Sequence, residues 1–207
     1  MPYPIKRLSF DGFCFDVYED VYEPAEDSFL FAENLHITPG MRVLDLGTGC
    51  GILAGLAAKK SGQVLAVDVN PFAVRCAKEN AQRNGLCDRI AFLRGDMFGA
   101  LRLDVWFDLV LFNAPYLPSE VGEEETWIGR SWAGGVDGRL VVDRFIAEVS
   151  AYLKPAGRVL LMQSTLTGVE KTLRGFRQQG FSACVVAERC LPFFETLTLI
   201  EAKYMIA

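Results

Sequence analysis

The stretch that decides the fold of this chain is Val43-Leu44-Asp45-Leu46-Gly47-Thr48-Gly49-Cys50-Gly51. An apolar run that ends in a glycine-rich turn is typical of a buried strand leading into a helix. Glycines at alternate positions permit a tight turn and a close approach of a ligand to the backbone. A nicotinamide or flavin dinucleotide site of the G-x-G-x-x-G type requires glycine at position 52, where this chain has Ile52. The stretch therefore predicts a strand, a ligand-binding glycine loop and a helix.

Strand and helix patterns alternate regularly from Met41 onward. Short connections between such elements imply a mostly parallel sheet covered by helices on both faces, and the last two strands form an antiparallel pair on it. The polar segment from Pro118 to Gly138 carries no strong pattern. The predicted strands are Arg42–Leu46, Gln63–Val67, Ile90–Leu93, Phe107–Phe112, Arg158–Gln163, Phe181–Glu188 and Thr196–Ala202, and the predicted helices are Gly51–Lys60, Pro71–Arg83, Leu140–Leu153 and Thr167–Gln179.

The first forty residues form an extension to this core. Residues 8–10 and 13–17 alternate in polarity around Asp11-Gly12, which predicts a β-hairpin. A helix is expected to open at Glu23 and run to Leu35, with Pro24 in its first turn. We expect one domain over residues 1–207, with an extension at 1–40 and an α/β core at 41–207.

The composition excludes several classes of function. The chain has 21 basic and 26 acidic residues and a net charge of −5, which disfavours nonspecific binding to nucleic acid. Six cysteines without a C-x-x-C pair and a single histidine predict a reduced protein without a metal centre. No apolar run reaches the roughly 18 residues that span a bilayer. We therefore expect a soluble, cytoplasmic protein.

Acidic residues follow three successive strands of the predicted sheet. The spacing of Asp45 and the glycines resembles the (D/E)-x-G-x-G-x-G loop of S-adenosylmethionine-dependent methyltransferases. Asp68, some twenty residues further on, is placed to accept the ribose hydroxyls, although an acid at a helix N-terminus is the alternative. Asp96 is a candidate for the adenine amino group and Met97 for packing on its ring. The candidate cofactor-binding residues in this part of the chain are Asp45, Gly47, Thr48, Gly49, Gly51, Asp68, Val69, Asp96 and Met97.

A polar and aromatic turn follows the fourth strand of the core, at Asn113-Ala114-Pro115-Tyr116. The Asn113 side-chain oxygen and the Ala114 carbonyl are placed to accept both N–H groups of a planar amide or amine, and Tyr116 to stack on it. Such a clamp orients the nitrogen for methyl transfer without a strong base. An Asn turn before a proline is the alternative. We take Asn113, Ala114, Pro115 and Tyr116 as the catalytic candidates, and Asn113 also as a cofactor contact.

This turn resembles the (N/D)-P-P-Y motif of amino-group methyltransferases, with Ala114 in place of the first proline. Residues 21–29 and 131–139 are both similar to segments of HemK/PrmC-type protein-glutamine methyltransferases, in particular the short archaeal and eukaryotic branch. The resemblance implies a class I methyltransferase (Rossmann-like) three-layer fold with a mostly parallel seven-stranded sheet and an antiparallel C-terminal strand. It also implies methylation of the glutamine in the Gly-Gly-Gln motif of a class I release factor, a cofactor contact by Ser28, and a position near the substrate for Trp132–Gly135.

The same resemblance implies a partner. Members of this branch pair along an edge strand with a small zinc-binding activator, and the matching edge here is Ile90–Leu93. A solvent-exposed edge is the alternative.

Three other functions stay open at this level. The turn chemistry also suits an adenine amino group of DNA or RNA, and Arg130, Arg139 and Arg144 are either a local basic patch for that purpose or solvated charges. Methylation of a lysine and a non-catalytic cofactor-binding scaffold are the remaining alternatives. The acidic balance makes nucleic acid the less favoured substrate.

Overall fold

The computed structural model describes residues 6–205 of the 207-residue chain. Contacts divide the chain into two compact units, one that ends at Ala100 and one that begins at Leu101. The first unit contains β1 (Lys6–Phe10), β2 (Phe13–Val17), α1 (Glu26–Glu33), β3 (Arg42–Leu46), α2 (Ile52–Ser61), β4 (Gln63–Asp68), α3 (Pro71–Arg83) and β5 (Ile90–Arg94). The second contains β6 (Phe107–Asn113), α4 (Leu140–Glu148), β7 (Leu153–Ser164), α5 (Val169–Gln178), β8 (Phe181–Cys190) and β9 (Thr196–Tyr204).

Seven of these strands form one sheet in the order β5-β4-β3-β6-β7-β9-β8. In the first unit β4 is parallel to both β3 and β5, and in the second β6 is parallel to β7. Strand β9 runs antiparallel to both β7 and β8. The hairpin β1–β2 forms a separate antiparallel pair. The predicted α/β fold, with its mostly parallel sheet, antiparallel C-terminal strand and N-terminal hairpin, is confirmed.

Helix α2 is the most deeply buried helix of the first unit. Its small and apolar residues are covered on every side, and only its two lysines near the end are exposed. Gly55 lies at its centre, where an added Cβ would approach the ring of Phe15 to 3.4 Å. The absence of a side chain there lets the hairpin pack directly against the helix, which offsets the entropic cost of a glycine inside a helix.

Polar contacts hold the hairpin to α3. The buried carboxylate of Asp16 accepts from Arg7 within the hairpin and from Arg83 of α3, each at 2.6 Å. The hydrogen bond from Arg7, together with the charge of Arg83, outweighs burial and lowers the pKa of Asp16. Asn84 accepts from the Cys14 N–H at 3.0 Å and donates to the Cys14 carbonyl at 2.8 Å. Within the first unit, the N-terminal extension is therefore bound to the core by specific hydrogen bonds as well as by apolar packing.

A row of aromatic rings runs through the core of the second unit. Successive ring centroids lie 4.9 to 6.4 Å apart, a range in which aromatic pairs attract one another. The row joins β6 to α4, α5, β8 and β9. Its members are Phe112, Phe145, Phe176, Phe181 and Tyr204.

Three predicted elements have a boundary that is wrong by three residues or more. Helix α1 begins at Glu26 and not at Glu23, because Ala25 before it is extended, and it ends at Glu33. The helix predicted over Leu140–Leu153 ends at Glu148 and is followed by a 3₁₀ turn. Strand β7 begins at Leu153 and not at Arg158, because Leu153 pairs with Phe107 of β6. Pairing with a neighbouring strand is a tertiary effect that local sequence patterns do not record.

Among residues 6–205, no helix is long and apolar enough to cross a lipid bilayer. Within the same range, no group of three or more His, Cys, Asp or Glu side chains is arranged to hold a metal ion.

Candidate active site

The glycine loop between β3 and α2 is built on left-handed backbone conformations. Gly49 and Gly51 have φ values of +57° and +86°, which residues with a Cβ rarely adopt. A Cβ on Gly51 would also meet Ala77 of α3 at 3.0 Å, whereas one on Gly49 would meet nothing within 4 Å. Gly51 is thus required by packing inside the unit. Gly49 leaves open space beside the backbone, which is what a bound ligand requires.

Asp45 is a buried carboxylate at the end of β3. It is 1 % exposed, and its Oδ2 accepts from the Thr48 hydroxyl at 2.7 Å. Its Oδ1 is buried without a hydrogen-bond partner among the described residues. Burial raises the pKa of Asp45 to about 7; the Thr48 hydroxyl opposes this rise, the charge of Asp68 adds to it, and the backbone N–H of Ala54 lowers it. An oxygen in this state has unused capacity to accept from a cationic or N–H-bearing ligand.

Asp68 at the end of β4 braces the glycine loop. One of its oxygens accepts from the Gly49 N–H and the other from the Asn70 N–H, each at 2.9 Å. Burial raises the pKa of Asp68, whereas hydrogen bonding from the backbone N–H groups of Gly49, Asn70 and Val69 lowers it. Asn70, and not Asp68, caps helix α3 through the Phe72 N–H. Each Asp68 oxygen keeps a second lone pair for a further donor such as a hydroxyl.

The third acidic residue that follows a strand is Asp96, in the turn after β5. This turn lies at the same edge of the first unit as Asp68. The Gly95 N–H donates to the Asp68 carbonyl at 2.9 Å, which sets the turn after β5 beside the end of β4. Asp96 in this turn is exposed, and Met97 is buried with a φ of +48°. A left-handed conformation at a bulky residue is strained, and such residues cluster in tight turns and at functional sites. Val69, next to Asp68, is half-buried.

Ser28 lies in helix α1 within a polar group that the sequence did not reveal in full. Its N–H and hydroxyl both donate to Asp27 Oδ1, at 2.5 and 3.1 Å. The Tyr22 hydroxyl donates to the same carboxylate at 3.2 Å, and burial followed by the charge of Asp27 raises the pKa of Tyr22. The sequence indicated Asp27 only as an acid in the first turn of a helix. The signal that could have identified Asp27 is its position between Tyr22 and Ser28, within residues 21–29, the segment that resembles the family.

The second unit carries the Asn113–Tyr116 turn. Asn113 is the last residue of β6 and is in register with Met162 of β7. Ala114 and Tyr116 are 3 % and 8 % exposed, whereas Asn113 and Pro115 are half-buried. The turn therefore has a buried framework, and the Asn113 side-chain oxygen is itself shielded from solvent.

Trp132–Gly135 pack directly against the residues that follow this turn. The Leu117 N–H donates to the Trp132 carbonyl at 3.0 Å, and the Gly134 N–H donates to the Leu117 carbonyl at 2.8 Å. Further along, an added Cβ on Gly138 would lie 2.4 Å from the Tyr116 carbonyl oxygen. The turn and residues 132–138 are thus one packed structure.

The arginines that were considered as a basic patch do not form one. Arg139 is 4 % exposed and makes its hydrogen bonds inside the second unit. Arg144 pairs with Glu148 one helical turn away, and Arg130 lies over the Trp127 ring at 4.9 Å. The patch hypothesis was wrong because Arg139 is buried, and the sequence alone did not reveal this burial.

The fold and the glycine loop define a methyltransferase. A model of the methyltransferase domain family matches residues 37–182. The chain is an S-adenosylmethionine-dependent methyltransferase. The donor set fits this cofactor, because Asp45 and Asp68 are two neighbouring carboxylates with spare acceptor capacity and the cofactor bears a sulfonium and an ammonium group.

The relatives place the chain within this class. It is 38 % identical over 194 residues to a putative protein N5-glutamine methyltransferase of Methanocaldococcus jannaschii, covering 93 % of this chain and 96 % of that protein. It is 33 % identical over 185 residues to human methyltransferase HEMK2, covering 83 % and 85 %. A chain of the E. cuniculi Mtq2–Trm112 complex shares the fold with a TM-score of 0.65 at 23 % identity, covering 89 % and 99 %. The protein belongs to the HemK-type protein-glutamine methyltransferases, in their short archaeal and eukaryotic branch.

Proposed function

We propose that this enzyme methylates the side-chain amide nitrogen of the glutamine in the Gly-Gly-Gln motif of a class I peptide chain release factor. The observation that carries the proposal is the Asn113–Tyr116 turn, which offers an amide side chain and a carbonyl at the carboxyl end of a buried strand. Relatives named as protein-glutamine methyltransferases support it. The E. cuniculi Mtq2–Trm112 complex is described as methylating the termination factor eRF1.

The donor side of the reaction is assigned to the first unit. Bound S-adenosylmethionine supplies an electrophilic methyl group on a sulfonium. Asp45 would accept from the amino-acid end of the cofactor through its unpartnered Oδ1, and Asp68 would accept from the ribose hydroxyls. Gly49 leaves room for the cofactor at the loop, while Asp96 and Met97 would contact the adenine. Ser28 is assigned to the same site through its family segment.

The acceptor side is assigned to the turn in the second unit. An amide nitrogen is a poor nucleophile because its lone pair is delocalised into the carbonyl. Two acceptors on its N–H groups, the Asn113 side-chain oxygen and the Ala114 carbonyl, would hold the nitrogen and favour the pyramidal geometry that frees the lone pair. Tyr116 would pack on the planar amide. No strong base is needed, since methyl transfer to the neutral amide gives an N-protonated cation that is strongly acidic and releases its proton to water.

The charge of the second unit favours a protein substrate over nucleic acid. Residues 118–138 contain five acidic residues and one arginine. Glu123, Glu124 and Glu125 are all exposed, and Arg130 is engaged with Trp127. A phosphate backbone would be repelled by this segment, whereas a basic protein loop would be attracted.

A small partner subunit completes the proposal. Strand β5 is at one end of the sheet order, so one of its edges is open to pairing. Its Phe92 and Leu93 are half-buried and Ala91 is exposed, a pattern suited to being covered by a partner strand. We infer a zinc-binding activator at this edge and a cytoplasmic enzyme, where release factors act.

The decisive experiment is transfer of a labelled methyl group to a purified release factor. The matched substrate has the Gly-Gly-Gln glutamine changed to alanine, and both reactions contain the co-expressed activator. We expect label on the first substrate and none on the second. Absence of transfer to either, with normal cofactor binding by calorimetry, would refute the proposal, and label on adenine-containing DNA or RNA in parallel reactions would point to the alternative.

A further inference from the structure

Arg139, at the N-cap position of α4, is a buried arginine with an unusually complete set of partners. Its Nη1 donates to the Thr167 carbonyl at 2.6 Å, to the Thr172 hydroxyl at 3.0 Å and to the Gly168 carbonyl at 3.1 Å. On its other side, Nε and Nη2 donate to Asp143 Oδ1 at 3.1 and 2.5 Å. The guanidinium therefore ties the start of α4 to the start of α5.

The polar contacts continue from Arg139 toward β7. Thr172 donates its hydroxyl to Gln163 Oε1 at 2.7 Å, and Gln163 donates to the Thr167 carbonyl at 2.8 Å. Gln163, Thr167 and Thr172 are all buried. Burial alone would raise the pKa of Asp143, but the hydrogen bonds from Arg139 and Lys171 hold it below its usual value. The network therefore has a buried part around the Arg139 guanidinium and an exposed end at the Asp143 carboxylate, both in the second unit.

The residue before Arg139 contacts the candidate acceptor turn directly. A Cβ on Gly138 would lie 2.4 Å from the Tyr116 carbonyl oxygen and 2.4 Å from the Thr167 methyl group. A Cβ on Gly134 would in turn lie 2.8 Å from the backbone of Gly138. Residues 134–138 form a tight loop, since the Leu140 N–H donates to the Gly134 carbonyl and the Gly138 N–H to the Gly135 carbonyl, both at 2.9 Å. No side chain separates this loop from the turn.

We propose that Arg139 is a positioning residue that fixes the acceptor turn by holding Gly138 against the backbone of Tyr116. Thr167 accepts from Arg139 and also touches Gly138, so one residue joins the buried guanidinium to the loop. A rotation of the start of α4 would move Gly138 and with it the carbonyl of Tyr116, two residues from the Ala114 carbonyl. The role of Arg139 rests on the proposed function in one respect, namely that the Asn113–Tyr116 turn holds the acceptor amide.

The geometry explains why arginine is needed and lysine is not sufficient. The five acceptor contacts lie on two sides of a planar group, and a guanidinium directs its N–H donors to both. A lysine ammonium at the same depth keeps the charge but reaches only one side. Arg139→Lys is therefore the informative variant, because it preserves charge and most of the volume.

The test compares Arg139→Lys with Arg144→Lys, a matched control on the same helix whose side chain is 41 % exposed against 5 % for Arg139. We expect Arg139→Lys to lower kcat for the release factor by about a hundredfold, the scale of a misplaced acceptor, with an unchanged Kd for S-adenosylmethionine. Arg144→Lys should stay within about twofold. Guanidinium at low millimolar concentration should restore part of kcat in Arg139→Ala and none in Asn113→Ala.

Amide hydrogen exchange gives a readout that does not depend on the substrate. In Arg139→Lys the Leu117 and Gly134 amides, which bond across the turn and the loop, should exchange faster while β9 stays protected. Faster exchange throughout the second unit would show a purely structural role and overturn the proposal, as would unchanged exchange or an unchanged kcat. If the wild type transfers no methyl group to a release factor, the proposed function fails, and the local exchange result still decides the role of Arg139.

Discussion

Asn80 of α3 pairs through its side chain with the backbone of Asp16 in both directions. Its Nδ2 donates to the Asp16 carbonyl and its Oδ1 accepts from the Asp16 N–H, each at 2.8 Å. The same Nδ2 donates to the Cys50 carbonyl in the glycine loop at 2.9 Å. The buried side-chain amide of Asn80 thus hydrogen-bonds to the backbone of β2 as a neighbouring strand would. It also joins the hairpin to the glycine loop.

Asn80→Ala should strongly destabilise the protein, because it leaves the Asp16 N–H and the Cys50 carbonyl buried without their partner. Each such loss costs about 1–3 kcal/mol, so the two together should lower the free energy of unfolding by urea by about 2–6 kcal/mol. Asn34→Ala is the control, since Asn34 is a half-buried residue at the end of α1 that donates to one carbonyl. Equal losses for the two variants would contradict the special role of Asn80.

The buried carboxyl of Asp45 should make stability depend on pH. Its pKa is raised from 3.8 to about 7 in the folded protein, so the folded state keeps a proton that the unfolded chain has already released. The stabilisation is complete below pH 4 and is lost as pH rises through 7. The difference in unfolding free energy between the wild type and Asp45→Asn should shrink over this interval. A difference that is constant from pH 4 to pH 8 would show that the Asp45 pKa is not raised.

Asn113→Ala should abolish methyl transfer and leave cofactor affinity unchanged. The substitution removes one of the two acceptors that hold the amide but leaves the glycine loop intact. We expect kcat to fall by up to about a thousandfold, the scale of losing an oriented polar contact in the transition state, and a calorimetric Kd within about twofold. Retained turnover would refute the clamp.

Gly138→Ala should impair transfer through a steric effect on Tyr116. Gly85→Ala is a matched control, because both glycines have a φ of +69° but only Gly138 has atoms within 4 Å of an added Cβ. The backbone strain of about 1 kcal/mol is therefore common to both variants. We expect a kcat lowered by about a hundredfold in Gly138→Ala alone. Equal kinetics in the two variants would exclude a positional role for residue 138.

Ala114→Pro should keep activity, because the group that residue 114 contributes is its backbone carbonyl. Either residue supplies that carbonyl, and Pro115 already biases residue 114 toward an extended conformation. We expect kcat within about threefold of the wild type and a slightly more rigid chain. A loss of tenfold or more would show that the turn of this enzyme depends on the alanine itself.

The alternation of strand and helix patterns and the glycine loop predicted the sheet and its helices correctly. The boundaries of α1, α4 and β7 were wrong, because they depend on contacts with other elements. The two alternatives considered for Arg139, a basic surface patch and a solvated charge, both failed for the same reason, since its side chain is buried. The roles of the candidate site residues, and a single domain over residues 1–207, stay predictions.

The sequence by itself determined the class of enzyme and its candidate residues, since the glycine spacing and the Asn113–Tyr116 turn are local features that a short segment carries alone. Only the tertiary structure decided how those residues are supported. Three contacts show this. Asp45 accepts from Thr48, Asn80 pairs with Asp16, and Arg139 donates to Thr167 behind Gly138, so the partners lie from 3 to more than 60 positions apart in the chain. Burial and hydrogen bonding between distant segments follow from packing, which no local pattern encodes.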